Sequence, residues 1–168
     1  MKDDKTILQE RAQSIIGRKE IADEEREGSI TVVEFLLVPE RYAIDEKYIS
    51  EVFFLKEITP IPGTPAFVMG VINLRGKILS VINLKSLFNL KDRGLTDLNK
   101  VIVIQNDNMQ YGIVTDAIIG SRIIQKHNLI PPPITIANEG AEFISGVSQD
   151  GLIFLNADVL LSSKKIIL

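Results

Sequence analysis

At 168 residues the chain has the length of one ordinary domain, with room for a single sizeable core. It is 45% hydrophobic and 24% charged with a net charge of -3, which excludes a disordered polymer and leaves no basic field to collect nucleic acid. No cysteine and one histidine exclude disulfide frameworks, thiolate metal sites, thiol nucleophiles and histidine clusters.

The opening residues Met1, Lys2, Asp3, Asp4 and Lys5 lead into charged sequence without the apolar stretch of a secretory signal, and the expected location is cytoplasmic. The longest apolar stretches are strand-sized, far short of the roughly 20 residues that span a bilayer. Residues 5–27 carry Ile7, Leu8, Ala12, Ile15, Ile16, Ile21 and Ala22 mostly on one helical face, which predicts an amphipathic helix. That face is expected to pack on its own domain, with a partner as the other occupant. Asp23, Glu24, Glu25 and Glu27 read as a solvated exit from the helix before Gly28.

From Ser29 the period changes. Residues 29–38 are rich in β-branched side chains, and Pro39, Glu40 and Arg41 connect them to a second strand at Tyr42, Ala43 and Ile44. A third strand is expected over 51–58, followed by a loop punctuated by Pro60, Pro62, Gly63 and Pro65. Residues 68–74 and 77–82 flank Arg75 and Gly76, which predicts a tight hairpin turn. Residues 84–88 can close as one helical turn, and 91–97 form a polar linker.

After the linker the order returns. A strand at 101–104 and another at 111–114 repeat the first hairpin, with Tyr111, Gly112 and Ile113 matching Tyr42, Ala43 and Ile44. Phe67, Gly70 and Val71 are echoed by Phe143, Gly146 and Val147, each set followed by a glycine turn (Gly76, Gly151) and an apolar strand. Asn83 and Asn156 then each precede a predicted turn of helix. One copy is too short for a comfortable core alone, so the two should pack together, each as a small bent antiparallel barrel that hides its strand edges.

Catalytic constellations are not found. The segment from Gly70 to Ile78 imitates a phosphate loop but has five residues between its glycines, lacks the hydroxyl beyond Lys77, and reads as strand, turn, strand. His127 has no second histidine beside it, and no nucleophile elbow surrounds any serine. Asp45 and Asp116 follow strands, where capping and turn roles are the common ones. Pro131, Pro132 and Pro133 read as a stiff loop wall, and the sparse aromatics offer no base-stacking platform.

The run Pro65, Ala66, Phe67, Val68, Met69, Gly70, Val71, Ile72, Asn73, Leu74, Arg75, Gly76 and on to Asn83 resembles the signature of the CheW family of chemotaxis coupling proteins. Tyr42 to Asp45, Ile49 to Val52, Tyr111 to Val114, the three prolines and Ile144 to Val147 fit the rest of that domain, so the similarity covers about residues 29–161. Ser80, Asn83, Lys85 and Met69 depart from usual family residues. The resemblance implies a mainly β fold of two packed five-stranded SH3-like antiparallel barrels, with a subdomain boundary near 90–100. Residues 1–28 would be a helical extension and 162–168 a tail.

It implies no catalytic residue, cofactor or metal. Its implied partners are the CheW-like regulatory domain of the histidine kinase CheA and the cytoplasmic tip of chemoreceptors, with membrane contact only through the receptors. Arg75 and Glu51 correspond to coupling positions, with Ile49, Gly70 and Gly76 in the same segments. Each also has a plainer reading: a solubilising turn arginine, an edge-protecting glutamate, a core isoleucine and two backbone-shaping glycines. A small-ligand or oligonucleotide-binding barrel is the alternative from another class.

Overall fold

The computed structural model describes residues 4–133 and 140–166, and among these the side chains of residue 4 and of 16–26 are left aside. Helix α1 (Asp4–Glu27) is followed by β1 (Ser29–Leu37), β2 (Glu40–Asp45), β3 (Ile49–Phe54), β4 (Val68–Leu74), β5 (Lys77–Ile82) and the one-turn helix α2 (Leu84–Leu87). The second half runs β6 (Lys100–Gln105), β7 (Gln110–Thr115), β8 (Ala117–Gln125), β9 (Ile144–Val147), β10 (Ile153–Leu155) and α3 (Ala157–Ser162).

The mainly β expectation holds, and the ten strands form two five-stranded sheets. The expectation of one barrel per sequence copy does not. One sheet is ordered β8-β1-β2-β10-β9 and the other β3-β6-β7-β5-β4. Each sheet therefore combines the leading hairpin of one copy with the last three strands of the other. Nor is either sheet wholly antiparallel, because β10 runs parallel to β2 and β5 parallel to β7 at one of the two joints between copies in each sheet. The linker near 90–100 joins β5 to β6 within one sheet, so sheets and copies divide the chain differently.

Three apolar clusters follow from this arrangement. The largest joins Phe35, Leu37, Tyr42 and Ile44 of the first sheet with Ile82, Ile102, Ile104 and Ile113 of the second, so it is shared between them. Smaller clusters fill each sheet separately, one around Leu79, Val81, Val101 and Val103, the other around Val32, Ala43, Leu152 and Phe154. Ile166 is buried in the shared cluster, so the segment expected to be a tail contributes to the core. Asn83 and Asn156 cap α2 and α3 by accepting hydrogen bonds from the Lys85 and Val159 amides, which is why the two strands end in matching helical turns.

Strand β8 had no counterpart in the sequence reading, and β3 begins two residues before the expected start and ends at Phe54. Both crossing strands bulge at matching places: the pairing skips Ser50 between Ile49 and Glu51, and skips Ile119 between Ile118 and Gly120. Helix α1 extends through the acidic run to Glu27, so that run is not the exit expected. Its apolar side chains do not pack on the domain over residues 5–15, where Leu8 and Ile15 are about two-thirds exposed at 65% and 66%.

Each sheet is closed by chain that continues from one edge strand and bridges the other. Thr59, beyond β3, exchanges backbone hydrogen bonds of 2.8 and 2.9 Å with Val71 on β4, and Ile130, beyond β8, does the same with Val147 on β9. The repeated glycine makes room for this. A Cβ on Gly70 would lie 2.2 Å from the Thr59 carbonyl oxygen, and one on Gly146 would lie 3.0 Å from that of Ile130. Gly70 is also held at φ +139°, where an L side chain is strained. Gly76, at φ +83°, has open space around it. Gly70→Ala is expected to lose about 3 kcal/mol or more of stability and Gly76→Ala about 1 kcal/mol, as read by urea denaturation of the two variants side by side.

Candidate functional site

The β4–β5 hairpin turns on Arg75 and Gly76, both with positive φ (51° and 83°), the geometry of a two-residue type I′ turn. Asn73 fixes it, its side-chain oxygen accepting a hydrogen bond of 2.9 Å from the Gly76 amide. With its backbone so constrained, Arg75 projects from the tip and reaches Glu51 on β3, Nη2 to Oε2 at 2.9 Å. Arg75 and Glu51 are 24 residues apart, one in the turn that follows edge strand β4 and the other on the opposite edge strand β3, and closure of the sheet brings them together. The arginine side chain is 78% exposed and the glutamate 25%, so the pair is a surface feature contributing about 0.2–1 kcal/mol.

The other expected residues lie close in sequence to this pair but do different things. Gly76 completes the turn, Gly70 admits the closing strand, and Ile49, two residues before Glu51, packs against the shared core. What the sequence did not single out is a set of exposed apolar side chains on the same sheet. Val52 and Phe54 of β3 and Ile78 of β5 are exposed, with the Lys100 ammonium 5.0 Å above the Phe54 ring and the Lys56 ammonium 5.5 Å above that of Phe53. Both faces of β3 are largely apolar, so hydrophobicity alone could not say which one meets water; only the burial alternation along the strand does.

A cleft of about 360 Å³ opens where the chain crosses from β2 to β3. Asp45, Lys47 and Tyr48 line one side, and Lys126, Leu129, Asn156 and Asp158 are among the residues opposite. Asp45 caps the crossing turn through the Lys47 amide at 3.0 Å. Burial first, and then the hydrogen bond to Asp158, push the Tyr48 hydroxyl up to about 12, so it remains a neutral donor at physiological pH.

Asp116, the other strand-following aspartate, is half of a buried ion pair. Its Oδ2 lies 2.6 Å from Nζ of Lys85, whose side chain is 7% exposed, and also accepts the Val38 amide at 2.7 Å. A last charged group ties three strands and a turn together. Glu34 of β1 bonds Arg41 of β2 at 2.9 Å and Arg122 of β8 at 3.4 Å, and both arginines reach Asp150 in the β9–β10 turn. No cluster of three or more metal-ligating side chains occurs among the described residues.

The Ser148 hydroxyl, and after it the Arg122 guanidinium, hold the Asp150 carboxyl well below its ordinary 3.8. A carboxyl depressed by folding stabilises the native state fully above its unfolded pKa, and that stabilisation fades as pH falls toward the folded one. The melting temperature of Asp150→Asn is therefore expected to lie below that of the parent by a constant gap between about pH 5 and 7, a gap that narrows progressively as pH falls below about 4.

Comparison with known proteins adds a family. The model of the CheW-like domain matches residues 31–165. The chemotaxis protein CheW of Treponema pallidum is 33% identical over 142 residues, covering 80% of this chain and 84% of its own. The protein FrzA of Myxococcus xanthus is 28% identical over 130 residues, 74% of this chain and 81% of its own. The crystal structure of the scaffolding protein TtCheW from Thermoanaerobacter tengcongensis, 31% identical, superposes with a TM-score of 0.71 over 81% of this chain and 90% of that one.

Proposed function

We propose that this chain, which belongs to the CheW-like domain family and so to scaffold proteins of chemotaxis coupling rather than to enzymes, links methyl-accepting chemoreceptors to the histidine kinase CheA and passes receptor state to the kinase. It would work in the cytoplasm and meet the membrane only through the receptors. No helix of the described residues is long and apolar enough to cross a bilayer.

The observation that carries the reading is the Arg75–Glu51 pair at 2.9 Å, which joins two residues at positions the family resemblance marks for coupling. Arg75 is anchored at its base by a constrained turn and paired at its head with Glu51, which biases its guanidinium toward one presentation to a partner. Val52, Phe54 and Ile78 offer apolar area beside it for the kinase's own CheW-like domain. A receptor's helical hairpin would seat in the groove at the crossing, where Lys47, Lys126, Asp45 and Asp158 supply rim charges around Leu129 and Leu155. Signalling by such a protein is a matter of differential contact: each partner biases the geometry offered to the other, and no bond is made or broken.

Charge reversal tests this. Arg75→Glu should retain the parent's fold and melting temperature within a few degrees, because an exposed pair stabilises little, yet lose receptor-dependent kinase control in a reconstituted receptor, kinase and adaptor assembly. Normal activation by that variant would remove Arg75 from the coupling surface. Adding Glu51→Arg restores the pair with opposite polarity. Recovery of control would mean that the tether matters, and continued loss that a partner touches the guanidinium itself.

A further inference from the structure

The two sheets carry equivalent outward strips at the same register, and the strips differ in chemistry. Phe54 pairs with Lys100 on the second sheet, and Ile123 pairs with Thr31 at the matching place on the first. The second strip thus has a cation over its aromatic ring, while the first has a neutral threonine. Along β8 the exposed positions are Ile119, Ser121 and Ile123, with the isoleucines 52% and 69% exposed. The one charged residue of the strand, Arg122, alternates to the other side and is engaged by Glu34 and Asp150. β8 is also the edge strand of its sheet, nine residues long, with β1 as its only strand neighbour in the sheet order.

From these facts we propose that the β8 strip binds a second copy of this chain across a two-fold axis at Ser121. The sequence Ile119, Ser121, Ile123 reads the same in both directions. Two such strips laid antiparallel therefore set each Ile119 against the partner's Ile123 and the two serines against each other. This self-complementarity selects a second copy over an unrelated protein: the contact carries no charge to repel itself, and it buries four isoleucines that a monomer leaves in water. The β3 strip, Ser50, Val52 and Phe54, lacks the palindrome and carries the Lys100 cation, so it does not pair with itself in this way. A dimer through β8 leaves Arg75, Glu51 and the β3 strip free, and an adaptor with that surface doubled would hold two partners at once. Because the strip is narrow, the dimer is weak, with a dissociation constant on the order of 0.1 mM.

Sedimentation equilibrium of the full chain across concentrations spanning that value tests the proposal. The parent is expected to dimerise reversibly. Ile119→Lys and Ile123→Glu should each weaken self-association at least about tenfold while leaving circular dichroism and melting temperature unchanged, because both side chains are exposed. An equimolar mixture of the two variants should dimerise again, since the two-fold places lysine opposite glutamate in one contact and isoleucine opposite isoleucine in the other. A parent that stays monomeric over the range, variants that dimerise like the parent, or a mixture that fails to recover would each overturn it. None of these outcomes depends on receptor or kinase binding.

Discussion

Four strand pairings between the two sequence copies hold this molecule together, two antiparallel (β1 with β8 and β3 with β6) and two short parallel ones. β2 meets β10 through Tyr42 with Ile153 and Ala43 with Phe154, and β5 meets β7 through Val81 with Gly112 and Ile82 with Ile113. Every other strand contact is antiparallel. At the four pairings between copies one sequence copy is sewn into the other, so neither half owns a complete sheet. A half-chain would expose the edges of β2 and β5 and the apolar side chains behind them, and such edges seek another strand. The largest apolar cluster belongs to both sheets because the two leading hairpins, β1 with β2 and β6 with β7, both contribute buried side chains to it.

The joints impose a demand on closure. A sheet that receives a foreign hairpin must curl to bring its last strand back to the segment leading out of its first, and the meeting backbones leave no volume for a side chain at one position on each side. Gly70 and Gly146 occupy those positions. Closure in turn sets Arg75 over Glu51, so the candidate coupling pair depends on a glycine five residues earlier as much as on its own two side chains. Substitution at Gly70 would thus damage the surface without touching it.

Most of the strands were legible because period-2 alternation and turn residues punctuate them: β4 and β5 have the expected bounds, and Arg75 with Gly76 forms the expected turn. β8 was not, since Ile118 with Ile119 and Ile123 with Ile124 put apolar residues on both of its faces and Gly120 sits in its middle. The repeat was visible in Tyr42 and Tyr111 and in Gly70 and Gly146, but the exchange of hairpins was not. Local sequence encodes strand and turn, whereas the choice between pairing within a copy and across copies is decided by long-range packing of side chains that are apolar in either case. The site divided likewise: motif residues could be named from sequence, while the pairing of Arg75 with Glu51 and the exposure of Val52, Phe54 and Ile78 are consequences of closure.

Duplication has also allowed the copies to diverge at matching places. After α2 begins, Lys85 reaches Asp116 at 2.6 Å and seals one crossing between the sheets with a buried ion pair. The corresponding residues of the other copy are Asp158 and Lys47, the same charges with their places exchanged. There the pair does not close: Asp158 engages the Tyr48 hydroxyl, Lys47 lies 3.8 Å from Asp45, and the cleft stays open. A buried pair with one partner nearly inaccessible resists opening, because separating it would leave a charge stranded in a poor dielectric. One crossing is therefore stiff, and the other can change its contacts without stranding a charge. The arrangement of Lys85, Asp116, Lys47 and Asp158 thus places one closed crossing and one open crossing within a single duplicated fold.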